Sequence, residues 1–365
     1  MSLSPERETR ELRLRQIRSE AQMRVAAGSN LPPAPQEETY LGNGDRPTRD
    51  FQPAASASPQ TGYYGMPLLK TPAWTWEVPI YFFVGGAAGM AAMLASVGAL
   101  SGADRRMVRD ARWLAAIGGA LSPPLLIADL GVPRRFLHML RVFKVQSPMS
   151  VGAWTLLTFS SSAAAATVLS ELGLRKIVPR IPVLTNIAEI GAALSGLVLS
   201  TYTGVLVGAT AIPAWNERIS LVPIHFAASG LNTAVSILEL KGHTSSALNK
   251  IGIGVAAVET AAGASLELGK KPGTEPLHHG PTGWTMRIAG ILSGPVPLAL
   301  RLLSLISTSR REKLRRAAGI SSIAGSLLTR FAWIYAGRAS SKDPKVPLQL
   351  PGPASPDAKQ IPADK

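Results

Sequence analysis

Six polar side chains in a largely apolar sequence have the types and spacing to handle a redox headgroup whose electrons move with protons. Glu77 and Tyr81 stand at i and i+4, so a helix sets them on one face. Asp129 closes one apolar run, Tyr202 lies inside another, His225 sits close to Pro223, and Arg330 interrupts a later run. A quinone site needs hydrogen-bond partners for two carbonyl oxygens, a proton acceptor or donor, and apolar walls for ring and tail. An acid, a phenol, an imidazole and a guanidinium supply the polar part. A plainer role fits as well. Tyrosine collects at membrane interfaces without doing chemistry, and Asp129 has Arg134 and Arg135 nearby in sequence as ion-pair partners. The residues alone leave both readings open.

Glu189, Glu259 and Arg301 fall deeper within apolar runs. An ionised group at mid-bilayer costs about 2.5–3.5 kcal/mol on an inserting helix, so each is expected to face protein or water. They read either as a proton path or as structural charge, with Glu189 pairing Arg301. Haem is not expected. Bis-histidine ligation needs histidines facing each other from within spans, and His138, His243, His278 and His279 fall in connections, leaving only His225. Without cysteine the chain has no disulfide and no cysteine-held iron–sulfur cluster. No metal site is expected. Gly252-x-Gly254-x-x-Ala257 matches a dinucleotide-binding string, but no strand precedes it and it opens a membrane helix. These glycines, with Gly85/Gly89, Gly204/Gly208 and Gly290/Gly294, read better as close helix packing.

Membrane helices carry these groups. Of 365 residues 46% are hydrophobic and 17% charged, and the charge gathers in tails and short connections. That pattern describes an all-α integral membrane protein in a lipid bilayer. The net charge of +15 does not imply nucleic acid, because Lys and Arg lie between apolar runs rather than along one folded surface.

Eight spans are expected: 78–103, 113–129 (with Pro123-Pro124 breaking its outer part), 149–170, 183–207, 219–238, 248–266, 284–307 and 313–337. Ser147 and Pro148 suit the N-cap and first position of the third. Residues 1–72 form a polar region, a mixed-charge helix over 1–28 followed by a Pro/Gly/Ser-rich linker. Residues 73–338 form the membrane domain, and 339–365 a disordered tail. No cleavable signal is visible, so the first span is expected to act as an uncleaved insertion signal. The connections after spans one, three, five and seven carry fourteen Lys and Arg against eight in the others. The positive-inside rule therefore puts both termini outside. Glu77, Tyr81, Asp129, Tyr202, His225 and Arg330 then share the outer level of the membrane.

Four stretches carry a resemblance to the NrfD-like family, the membrane subunits of polysulfide reductase and related quinone-linked oxidoreductases. They are WTWEVPIYFFVGGAAG (74–89), LLIADLGVPRRFLHMLRVFKVQSPMSVGAW (125–154), TYTGVLVGATAIPAW (201–215) and RFAWIYAGRASSKDP (330–344). They come in the family's order, and the resemblance spans roughly residues 63 to 344. The resemblance implies two four-helix bundles in a bacterial cytoplasmic (inner) membrane. It implies menaquinone or ubiquinone near the face that docks a ferredoxin-like iron–sulfur subunit, itself bound to a catalytic subunit such as a molybdopterin oxidoreductase. Such a chain is not catalytic alone. Aligned on the glycine-rich stretch, Glu77 and Tyr81 take the family's first-helix quinone positions and Tyr202 its fourth-helix tyrosine. Glu and Tyr stand here where the polysulfide reductase member has an amide and an imidazole. From another class, a transporter or proton channel using Glu189 and Glu259 also fits, as does a pure membrane anchor.

Overall fold

A computed structural model describes residues 69–130, 132, 134–171, 181–269 and 274–342. The expected helix over 1–28, nearly all of the linker, and the connection holding Arg175, Lys176 and Arg180 lie outside the described residues. The described chain is helical: α1 Glu77–Leu100, α2 Arg105–Leu130, α3 Arg134–Met139, α4 Pro148–Glu171, α5 Ile181–Gly208, α6 Pro213–Asn216, α7 Leu221–Leu240, α8 Ser246–Leu268, α9 Glu275–His278, α10 Gly280–Ser293, α11 Pro295–Ile306 and α12 Arg311–Lys342. Eight candidate spans emerge once α10 and α11 are taken as one crossing. At 1.5 Å per residue, the 24 residues of α1 rise about 36 Å, enough for a hydrocarbon core of about 30 Å.

The ends follow local chemistry. Pro148 opens α4, where the Ser147 hydroxyl accepts from the Ser150 N–H at 3.4 Å. The Ser245 hydroxyl caps α8 by accepting from the Leu248 N–H at 3.2 Å. α5 ends before Pro213 as expected.

The helices depart from expectation in two places. Pro123-Pro124 does not break α2, which runs on to Leu130. Pro123 has no N–H to give the Gly119 carbonyl. That carbonyl accepts from the Ser160 hydroxyl of α4 at 2.8 Å instead, so the helix continues. The expected single span over 284–307 is two helices, α10 and α11, parted at Gly294. Here the carbonyls of Leu292 and Ser293 turn outward to Ser321 (2.7 Å) and Asn232 (3.1 Å). At the C-terminus the helix passes Gly337 and reaches Lys342. Ser340 and Ser341 are buried, and Ser340 accepts from the Ala214 N–H of α6.

The crossings form two four-helix groups, as expected: α1, α2, α4 and α5, then α7, α8, α10/α11 and α12. The groups share a seam of α1, α5, α7 and α12. Glycine makes that seam close. A Cβ on Gly196 of α5 would lie 2.6 Å from the Gly89 carbonyl oxygen, and one on Gly230 of α7 would lie 2.8 Å from that of Gly86. Gly204 abuts Pro223, Gly208 abuts Ile219, Gly294 abuts Thr260, and Gly252 lies on the Arg301 guanidinium. Gly85 makes only ordinary contacts, and Gly254 and Gly290 have open space where a Cβ would go, so those three are not close-packing glycines.

Candidate functional site

The first bundle gathers three of the expected residues around one cavity of about 40 Å³. Tyr81 comes from the first turns of α1, Asp129 from the last turn of α2, and Tyr202 from the second half of α5. Positions 81, 129 and 202 meet because α1 packs on both α2 and α5 at this end of the bundle. The walls are apolar: Val78, Phe82, Leu126, Met139, Met149 and Leu206 among them. Both phenols are largely enclosed, Tyr81 at 1% and Tyr202 at 7% exposure. The Tyr202 ring packs directly against Gly152 of α4, where any Cβ would run into it. Trp74 closes the wall from the segment before α1. It stacks on Trp215 at 5.1 Å and meets the edge of Phe82 at 6.2 Å.

Glu77 does not line this cavity but is tied to it. The Thr75 N–H and hydroxyl both lie 3.1 Å from Asp129 Oδ1, and the same hydroxyl contacts a Glu77 carboxylate oxygen. One hydroxyl carries one proton. It can give that proton to only one of the two carboxylates at a time, and so links the two acids. Arg134, considered above as a partner of Asp129, is exposed and makes no ion pair with it. The Arg135 side chain lies outside the described residues.

His225 and Arg330 are not part of that cavity. They sit in the second bundle, on α7 and α12. Arg330 is fully buried, donates to the Phe226 carbonyl at 2.9 Å, and places its guanidinium 3.8 Å from the Phe226 ring centroid. His225 is 2% exposed, and its ring meets Phe226 edge-on at 6.5 Å. The six residues expected at one membrane level therefore divide between two places. Sharing a level does not give a shared bundle.

The deeper charges divide as well. Glu189 does not pair with Arg301; it pairs with Arg112 of α2 at 2.6 Å, in the first bundle. Arg301 pairs with Glu239 at 2.6 Å and donates to Ser236 at 3.3 Å. Arg315 reaches the other oxygen of Glu239 at 2.5 Å, so one carboxylate serves two arginines. Glu259 accepts from Asn232 Nδ2 at 2.6 Å, beside the α10/α11 break. All these partners on α7 belong to one buried stripe: His225, Ser229, Asn232, Ser236 and Glu239. Steps of four and three keep them on one helix face.

Sequence reasoning missed Thr75, Asn232 and Glu239. Thr75 carried no signal, being one hydroxyl in a short pre-helical segment. The α7 stripe was readable, because polar residues repeating at 3–4 spacing inside a membrane span mark a face turned to protein.

No curated protein matches the chain. Residues 60–342, well over half of its length, match the polysulfide reductase family. The chain belongs to that NrfD-like polysulfide reductase family, as a multi-pass membrane subunit of an oxidoreductase complex.

Proposed function

We propose that this chain binds quinone or quinol in the first-bundle cavity and exchanges its electrons with an iron–sulfur partner subunit docked at that end of the bundle. The observation that carries the reading is the convergence of Tyr81, Asp129 and Tyr202, far apart in sequence, on one otherwise apolar cavity. Two phenols suit two carbonyl oxygens, and a carboxylate suits the proton. The cavity now has room only for water-sized guests. Its mouth is lined by Met139 and Met149, the latter 50% exposed, and unbranched thioether side chains move aside at little cost. Bound there, menaquinone or ubiquinone supplies two-electron, two-proton chemistry. The chain's own work is to hold the ring between Tyr81 and Tyr202 and to carry the proton at Asp129 outward through Thr75 to Glu77. The partner we expect is a ferredoxin-like iron–sulfur protein joined to a molybdopterin-type catalytic subunit. The membrane is the bacterial cytoplasmic one, with both termini outside. The test is quinol turnover by the complex after Asp129→Asn. A fall of about 10²–10⁴-fold, the usual worth of a positioned acid or base, supports the reading, and parental turnover removes it.

A second reading, proton movement through the other bundle, draws on the α7 stripe. Glu259 of α8 bonds to it at Asn232, and Arg301 of α11 bonds to it at Ser236 and Glu239. Glu189, paired with Arg112 in the first bundle, belongs to a different route if it takes part. Proton uptake by vesicles carrying Glu259→Gln separates a path from a structural pair. Unchanged uptake removes Glu259 from any path.

A further inference from the structure

The second bundle contains a cavity of about 380 Å³, against about 40 Å³ for the one that Tyr81, Asp129 and Tyr202 line. It lies between α8, α9 and α10, and α7 contributes its deep wall through His225. That imidazole is 2% exposed, and neither ring nitrogen has a hydrogen-bond partner among the described residues. A buried imidazole without partners is costly, and a neutral one offers one donor and one acceptor. Leu266, Leu277 and Met286 form buried apolar walls. Gly263 and Gly290 face each other's helices without approaching anything. A Cβ built on either meets no atom within 4 Å, so these glycines leave room rather than allow contact.

The mouth identifies the kind of occupant. Ile291, 52% exposed and well inside the α10 crossing, lies at the opening, which therefore faces hydrocarbon rather than water. Arg287, at the rim, is already held by Glu267 at 2.8 Å. A phosphate headgroup would find its lining cation engaged, whereas a neutral ring with a carbonyl or hydroxyl would find a free imidazole.

We propose that this cavity binds a second quinone-class molecule, its ring oxygen on His225 and its apolar tail leaving past Ile291. The inference rests on the reading that the complex works on quinone. It adds a site that shares no lining residue with the first.

The test uses the assembled complex in lipid nanodiscs loaded with menaquinone or ubiquinone, with bound quinone and phospholipid extracted and counted. The parent should hold two quinones per chain. Gly290→Leu and Gly263→Leu, which fill the cavity from opposite walls, should each leave one. His225→Leu should weaken the second binding step at least tenfold while the first keeps its affinity. If both glycine variants keep two quinones, or lose phospholipid instead, the second site is overturned and the first stands. If the parent holds no quinone, the functional reading itself falls.

Discussion

Thr75 holds Asp129 by two bonds to one carboxylate oxygen, the backbone N–H and the hydroxyl each at 3.1 Å. The backbone bond fixes where the carboxylate sits, and the hydroxyl connects it to Glu77. Thr75→Val keeps the shape and the first bond but removes the connection. A hydrogen bond to a charged group is worth about 1.5–3 kcal/mol, so quinol turnover should fall roughly ten- to a hundredfold, and Thr75→Ser should restore it. Steady-state assays of the three forms decide this. Parental rates in Thr75→Val would show that the hydroxyl carries nothing.

Glu77→Gln should be milder than Asp129→Asn, because Glu77 stands behind Thr75 rather than at the cavity. Subunit levels should not change. Equal losses in the two variants would place Glu77 in direct contact with the headgroup.

Tyr202 and Gly152 form a coupled pair. Tyr202→Phe removes one neutral hydrogen bond and should weaken quinone binding by about 0.5–1.5 kcal/mol. Gly152→Ala keeps that hydroxyl but drives a methyl into the ring, tilting it away. Its loss of affinity should be at least as large, read from quinone titration of the purified complex. An alanine variant that binds like the parent would show that the ring's position is unimportant.

Glu239 lies between Arg301 and Arg315, 4% exposed. Glu239→Leu leaves two buried guanidinium groups without their carboxylate, a change that typically costs about 3–5 kcal/mol. Thermal unfolding in detergent should move to a clearly lower temperature with quinone binding unchanged. A parental Tm would mean that water already serves these arginines.

The spans were legible because uncharged runs of membrane length have few other uses. The grouping of Tyr81, Asp129 and Tyr202 was legible in part, since the three line one cavity. Azimuth was not. Level alone could not say that Glu189 turns to Arg112 within the first bundle, or that His225 and Arg330 face the second. Pro123 was misjudged for a related reason. Its effect depended on Ser160, a hydroxyl brought 2.8 Å from the orphaned carbonyl by another helix, which no local rule contains. Thr75 was invisible because its importance lies wholly in its two acidic neighbours.

Sidedness comes from charge alone and has its own check. Cysteines placed at Ser58 and Ser101 should react with an impermeant reagent from opposite faces of the membrane, Ser58 from outside. Labelling of both from one face would reverse or remove the assignment of the quinone end to the outer side.

Quinone at Tyr81, Asp129 and Tyr202 is best sought with a photoactivatable quinone, cross-linked to the assembled complex and mapped by peptide mass spectrometry. Adducts should fall within 74–82, 126–130, 149–153 and 202–206, or on Met139, which together line the first-bundle cavity. Native quinone should compete them away, and Gly152→Ala should diminish them. Efficient labelling that leaves all four segments and Met139 bare would contradict the assignment of Tyr81, Asp129 and Tyr202 to a quinone site.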